Sequence, residues 1–311
     1  MLFGLWSSNA SVGNIVGALM AAGALGIAGA LSGPKEIGVL MVFIGPSALM
    51  LLFAYLSFGL TDYPPTTDNA RELEEVPPAP PRTPEMPTFE AMLGGLREIW
   101  HAFWLPFVAR YSLVYACTKG VNYAMFFWLP FYLSEVCHLD PGHADGLSTF
   151  YDMGQCIGGV LAGSIVDKFA KGRKSIVITV FLVLAIIPTL ALSMKYESVI
   201  PITIIIFVAG LLVGGPANLI SAAVCADLGS QAESDVTASV SGLVDGVASI
   251  GAALTQLAIP LLTNGTSWLW LFVAFTGMLL LAALLLLPVV KKELTSLSMP
   301  REGAPHAHVR E

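Results

Sequence analysis

Eight stretches of this sequence are apolar over about 20 residues or more, the length a helix needs to cross roughly 30 Å of hydrocarbon. They fall at 3–31, 37–60, 105–133, 145–167, 175–194, 199–226, 236–263 and 267–290. Segments of that length cannot be barrel strands, which are shorter and alternate polar with apolar residues. The expected fold is therefore an all-α integral membrane bundle. Charge agrees with length: only 12% of residues are charged and the mean hydropathy is +0.75, whereas a soluble domain carries about 25% charged residues. An ordinary soluble enzyme is excluded. The first thirty residues contain no Lys or Arg, so the basic start of a signal peptide is absent. Glycines such as Gly154, Gly158, Gly159 and Gly163, or Gly242 and Gly246, suit close helix packing in lipid.

The longest polar stretch runs from Thr61 to about Arg97 and carries a Pro-rich piece over 76–84 beside Glu72, Glu74 and Glu75. Such a composition builds no core and reads as a semi-extended linker. The expected organisation is two helices in 1–60, a linker over 61–102, six helices in 103–293 and a tail over 294–311. Orientation follows from the basic residues. Arg71, Arg82, Arg97, Lys168, Lys171, Arg173, Lys174, Lys291, Lys292, Arg301 and Arg310 fall on the linker side, against Lys35 and Lys195 on the other. Under the positive-inside rule the linker and both termini are cytoplasmic.

Few charges remain inside the spans. Arg110 lies near a span end and can snorkel to the interface. Lys119 falls near the middle of 105–133, where a lysine costs about 2.5–3.5 kcal/mol on insertion scales. It therefore calls for a water-filled cavity or a counter-charge. Tyr115 lies four residues back and Asn122 three on, so all three share a helix face. An ammonium flanked by a phenol and an amide makes an anion-binding face. A lysine neutralised by an intramembrane acid for packing alone is the competing reading, and Asp152 and Asp245 are the available acids. Asp167 ends the segment 163–167 and is followed by Lys168, Lys171, Arg173 and Lys174, a spacing that can lock neighbouring helices through charges.

Other chemistry finds little support. No basic–aromatic patch exists for nucleic acid. Cys117, Cys137, Cys156 and Cys225 form no paired motif, and the three inside apolar segments read as small buried thiols. Cys137, His138, Asp140, His143 and Asp145 crowd one short loop, but their spacing fits no standard zinc signature. No nucleophile–base pair lies within the spans, so an enzyme is not expected.

The segment 163–174 resembles the loop motif that recurs between the second and third helix of each half in major facilitator transporters. A narrower resemblance is carried by Gly4-Leu-Trp6-Ser-Ser-Asn9-Ala-Ser11-Val-Gly13-Asn14, by Phe127-Trp128-Leu-Pro130-Phe-Tyr132, and by Leu147-Ser-Thr-Phe-Tyr-Asp152-Met-Gly154. Gly214-Gly215-Pro216, Ser221-Ala-Ala-Val-Cys-Ala-Asp227-Leu-Gly229 and Asp245-Gly246-Val-Ala-Ser-Ile-Gly251 continue it. In this order they are similar to the sugar-phosphate exchangers and eukaryotic glycerol-3-phosphate transporters of solute carrier family 37 and its organophosphate:phosphate antiporter relatives.

That resemblance implies a twelve-helix carrier of two six-helix halves, exchanging a small organophosphate for inorganic phosphate around a midplane site. The eight spans here correspond to helices five to twelve, and the first four have no counterpart. A fragment or a misplaced start is expected, with a truncated, non-transporting scaffold or regulator as the alternative. Lys119 lies on the helix where relatives place a second cationic phosphate ligand, and Asp152 matches an acid near their site. Trp6, Asn9, Ser11 and Asn14 match the cavity-lining fifth-helix signature. Asp167, Arg173, Lys174 and Asp245 take gating or structural roles. The loop 228–235 lacks the lysines usual in the family, which puts a charge lock there in doubt. No cofactor, metal or obligate protein partner is implied. The partners are a phosphorylated solute, phosphate and the bilayer, with an endoplasmic-reticulum-type membrane favoured.

Overall fold

A computed structural model describes residues 12–17, 19–21, 23–24, 35–60, 89–170, 172–194, 196, 198–230, 236–263 and 267–295. Among these the regular structure is entirely helical. Residues 12–17, 19–21 and 23–24 are helical, within the first expected span. There follow α1 (Lys35–Leu60), α2 (Phe89–Phe103), α3 (Val108–Val136), α4 (Pro141–Lys168), α5 (Lys174–Ala191) and α6 (Val199–Asn218). A π-helical turn, Leu219–Val224, joins α6 to α7 (Cys225–Ser230), and α8 (Thr237–Thr263) and α9 (Trp268–Thr295) complete the order.

Local sequence explains the helix ends. Asp140 accepts a hydrogen bond from the Gly142 amide, with Pro141 at the first position of α4. Ser198 does the same for the Ile200 amide at the start of α6. Both satisfy an orphan amide of the first turn. Gly172 turns the chain between α4 and α5 at φ +83°, a conformation that favours glycine. Pro216 precedes the π-helical turn, which re-registers the helix by one residue.

The 18-residue window Leu40–Ser57 in α1, α5, the continuous α6–α7 rod, α8 and α9 are each long and apolar enough to cross a membrane. With 29 and 28 residues, α3 and α4 are also long enough. Their mean hydropathy is lowered by the polar groups they carry inward, among them Lys119, Asp152 and Gln155, all buried.

The chain forms two compact units: Val16–Arg97, and Glu98–Glu311 with Met1–Ile15. Within the expected linker over 61–102, the stretch from Phe89 onward forms the helix Phe89–Phe103; residues 61–88 lie outside the described set. The prolines stop at Pro87, after which Phe89, Met92, Leu93, Leu96, Ile99, Trp100 and Phe103 recur at helical spacing.

In the larger unit α4 and α6 approach each other closely. A Cβ on Gly154 or Gly158 would collide with the backbone of Phe207 and Leu211, and one on Gly210 would collide with the backbone of Tyr151. Without side chains between them the two helices meet backbone to backbone. A second seam joins α3 to α8: Gly251 abuts Ala116, and Gly120 abuts Thr255. Gly242 and Gly246 depart from their expected packing role, since a Cβ on either would meet nothing within 4 Å. The glycine that packs against α3 is Gly251, further along α8. Tyr132 fastens α3 to its neighbours. Its hydroxyl donates to the Leu192 carbonyl, and its ring lies 5.0 Å from that of Phe272, edge to face.

Candidate functional site: a lysine held by an acid between two helices

The α3–α8 seam positions a charge that is costly in a membrane-spanning helix. Lys119 is buried, with its side chain 8% exposed, and its Nζ lies 2.6 Å from Oδ1 of Asp245. It also donates to Ser249 Oγ at 2.9 Å. Asp245 and Ser249 are one turn apart on α8, and the Ser249 hydroxyl in turn donates to the Asp245 carbonyl at 2.9 Å. On α3 the rings of Tyr115 and Tyr123 stand 5.5 and 5.4 Å from the ammonium, a distance at which the ring faces attract a cation. The lysine is thus compensated from four directions. The Asp245 side chain is 54% exposed, so the carboxylate separates the ammonium from open space.

A second polar group joins α3 to α4. The fully buried Tyr151 donates its hydroxyl to Asn122 Oδ1 at 2.9 Å. Beside it Asp152, itself buried, accepts from Gln155 Nε2 at 3.2 Å and from Asn14 Nδ2 at 3.4 Å. Further along the α3–α8 seam, Trp128 Nε1 donates to Gln256 Oε1 at 2.7 Å, while Gln256 Nε2 is buried without a partner.

A third cluster lies at the α4–α5 end of the bundle. Lys174 pairs with Asp227 of α7 and donates to the Ala223 carbonyl at 3.2 Å. Ser175 directs both its amide and its hydroxyl to Glu293 of α9. A cavity of about 250 Å³ opens here between Tyr111, Lys174, Asp227, Lys292 and Glu293. Lys292 Nζ sits 4.7 Å from the Phe107 ring, and Phe107 holds a left-handed φ of 71°.

Of the residues singled out from sequence, the fold brings together Lys119, Tyr115 and Asp245. Asn122 faces Tyr151, and Asn14 meets Asp152. Trp6, Asn9 and Ser11 lie outside the described residues. Asp167 is exposed near the end of α4, Arg173 immediately precedes α5, and Lys174 is ion-paired with Asp227. Tyr123, Ser249, Gln155, Tyr151, Gln256 and Glu293 were not legible as site residues. Ser249 carried a signal in its one-turn spacing from Asp245, and Tyr123 in its four-residue spacing from Lys119.

Among the described residues no group of three His, Cys, Asp or Glu is placed to hold a metal. His143 instead lies 3.5 Å from Asp140, one turn apart on the surface. Burial pushes the Cys137 thiol in that loop above its ordinary pKa, which disfavours the reactive thiolate.

Comparison with known proteins assigns the bundle. The family model described as Major Facilitator Superfamily matches residues 1–240 and 147–308. Sugar phosphate exchanger 3 of Bos taurus is 36% identical over 97% of this chain, and its Mus musculus counterpart 34% identical over 97%. The glucose-6-phosphate exchanger SLC37A2 of Xenopus tropicalis is 31% identical over 95%. The chain spans 63% of the length of the first two relatives and 62% of the third. The family matches together cover most of the sequence, and the chain belongs to the Major Facilitator Superfamily.

Proposed function

We propose that this chain forms part of a secondary transporter that exchanges a small organophosphate for inorganic phosphate by alternating access. The observation that carries the reading is Lys119. A buried ammonium in a membrane-spanning helix is expensive, and it offers a phosphoryl group a desolvated positive charge, here held by Asp245. Relatives named for sugar phosphate and glucose 6-phosphate exchange support the substrate class. Binding combines Lys119 and Tyr115 with the amide of Asn122, and the Asp152–Asn14 pair stands beside them. No covalent step is needed, because movement of one helical bundle against another around a midplane site suffices. Asp167, Arg173 and Lys174 belong to the gate. The distribution of Lys and Arg supports cytoplasmic termini, and the family resemblance supports an endomembrane location.

The test is phosphate-loaded proteoliposomes containing the purified chain, supplied with radiolabelled phosphate, glucose 6-phosphate or glycerol 3-phosphate. Uptake that requires internal phosphate and disappears in Lys119→Ala is expected. Absence of exchange with every one of these solutes overturns the reading. Exchange undiminished in Lys119→Ala removes the lysine from the site.

A further inference from the structure

The position of Asp245 has a consequence for how an anion reaches Lys119. The lysine is buried and the aspartate half open, with 2.6 Å between their charged atoms. An anion approaching from the open side therefore meets a carboxylate before it meets the ammonium. That side is uncrowded, since Gly246, next in sequence, and Gly242, almost one turn back, have nothing within 4 Å of a Cβ position. The other sides of the ammonium are taken by Ser249 and the rings of Tyr115 and Tyr123.

Resting on the reading of Lys119 as a phosphate ligand, we infer that Asp245 is a resident counter-ion that the phosphoryl group of the substrate displaces from Lys119. In the empty site the carboxylate neutralises the lysine, and on binding a phosphate oxygen takes its place. The carboxylate then turns toward the open side, to which it is already half exposed. Two effects follow from one competition. Affinity is lowered, because each binding event must break an existing ion pair. Release is assisted, because the carboxylate returns as the anion leaves, so the lysine is never left as an uncompensated buried charge. The same competition selects for charge. A dianionic phosphate monoester outbids the single charge of a carboxylate, whereas a monoanionic carboxylic acid of similar size has no such advantage. Asp245 is on this account a specificity-determining residue that acts through Lys119.

The experiment compares the wild-type chain with Asp245→Asn and Asp245→Glu, all purified in phosphate-containing buffer so that an anion covers the lysine throughout. After phosphate is removed, equilibrium binding of radiolabelled phosphate and the shift of the thermal unfolding midpoint on phosphate addition are measured. Asp245→Asn is expected to bind phosphate at least about tenfold more tightly, with a larger thermal shift than wild type, since ligand stabilisation grows with the ratio of concentration to Kd. Asp245→Glu, which keeps the charge, is expected to stay within about threefold of wild type on the same relation. Loss of a purely structural ion pair would loosen the site and weaken binding, so tighter binding separates the two roles. Unchanged or weaker phosphate binding by a folded Asp245→Asn overturns the inference. If that variant survives only while phosphate is present, phosphate-dependent folding in it, absent from Asp245→Glu, is the same result in another form. Equal phosphate dependence of folding in both variants overturns it as well. Failure of the wild type to bind phosphate or glucose 6-phosphate is a different outcome, which removes the reading of Lys119 itself.

Discussion

Lys174, the first residue of α5, is ion-paired with Asp227, which lies 53 residues further along the chain in α7. The same ammonium reaches the Ala223 carbonyl inside the π-helical turn. One side chain thus ties the start of a helix to the irregular part of the α6–α7 rod.

Removing this tie has a small and salt-sensitive effect. The Asp227 side chain is 53% exposed, and exposed pairs contribute about 1 kcal/mol or less. Lys174→Ala is expected to lower the stability of the detergent-solubilised chain by about that much in dilute buffer. The difference should shrink by 1 M salt, where screening reaches about 3 Å. The exchange of charges, Lys174→Asp with Asp227→Lys, should regain most of the loss. A thermal-unfolding series in rising salt reads all three, and a loss that ignores salt would assign the effect to packing instead.

The glycines divide into two classes with opposite expected effects. On the α4–α6 seam a Cβ at Gly158 would collide with the Leu211 backbone, which cannot rotate aside as a side chain can. Gly158→Val is expected to destabilise by about 3 kcal/mol or more, the upper end for overpacking. Gly242, with open space around it, should behave in reverse. Gly242→Ala is expected to be neutral or to stabilise by up to about 1 kcal/mol through helix propensity. Denaturant or thermal unfolding of the two variants side by side checks the contrast. A well-tolerated Gly158→Val would mean that the two helices do not meet at their backbones.

The same glycines show where sequence stops being informative. Periodicity and length were enough to locate α1, α3 to α5, the α6–α7 rod, α8 and α9 to within a few residues, because a helix in lipid must satisfy its own backbone. Nothing in the one-dimensional pattern says which glycine faces a neighbour. Gly158 and Gly242 look alike in sequence and differ entirely in surroundings. The linker illustrates the reverse error, since its acidic and Pro-rich part masked the apolar spacing that makes Phe89–Phe103 a helix. At the site, Lys119 was legible because one buried charge is conspicuous, and Asp245 was one of two candidates for its partner. Ser249 and Gln256 were not legible, because an uncharged polar residue is unremarkable until a neighbouring helix gives it a partner, whereas Tyr123 shares α3 with Lys119 at the same four-residue spacing as Tyr115.

Gln256 supplies a prediction that depends on such a partner. Its Oε1 accepts from the Trp128 indole at 2.7 Å, while its Nε2 is already buried and unpaired. Trp128→Phe would leave both ends of a buried amide without a partner, a cost of about 1–3 kcal/mol. Gln256→Leu removes the unpaired Nε2 along with the acceptor, so it orphans the indole N–H but relieves the amide. Its net effect is expected to be smaller. With both replaced no polar atom remains to be satisfied. Trp128→Phe with Gln256→Leu should therefore be more stable than Trp128→Phe alone, with a coupling of about 1 kcal/mol or more between the two sites. Unfolding of the wild type, both single variants and the double variant in one detergent closes the cycle. Simple additivity would show that the hydrogen bond contributes nothing to holding α3 against α8.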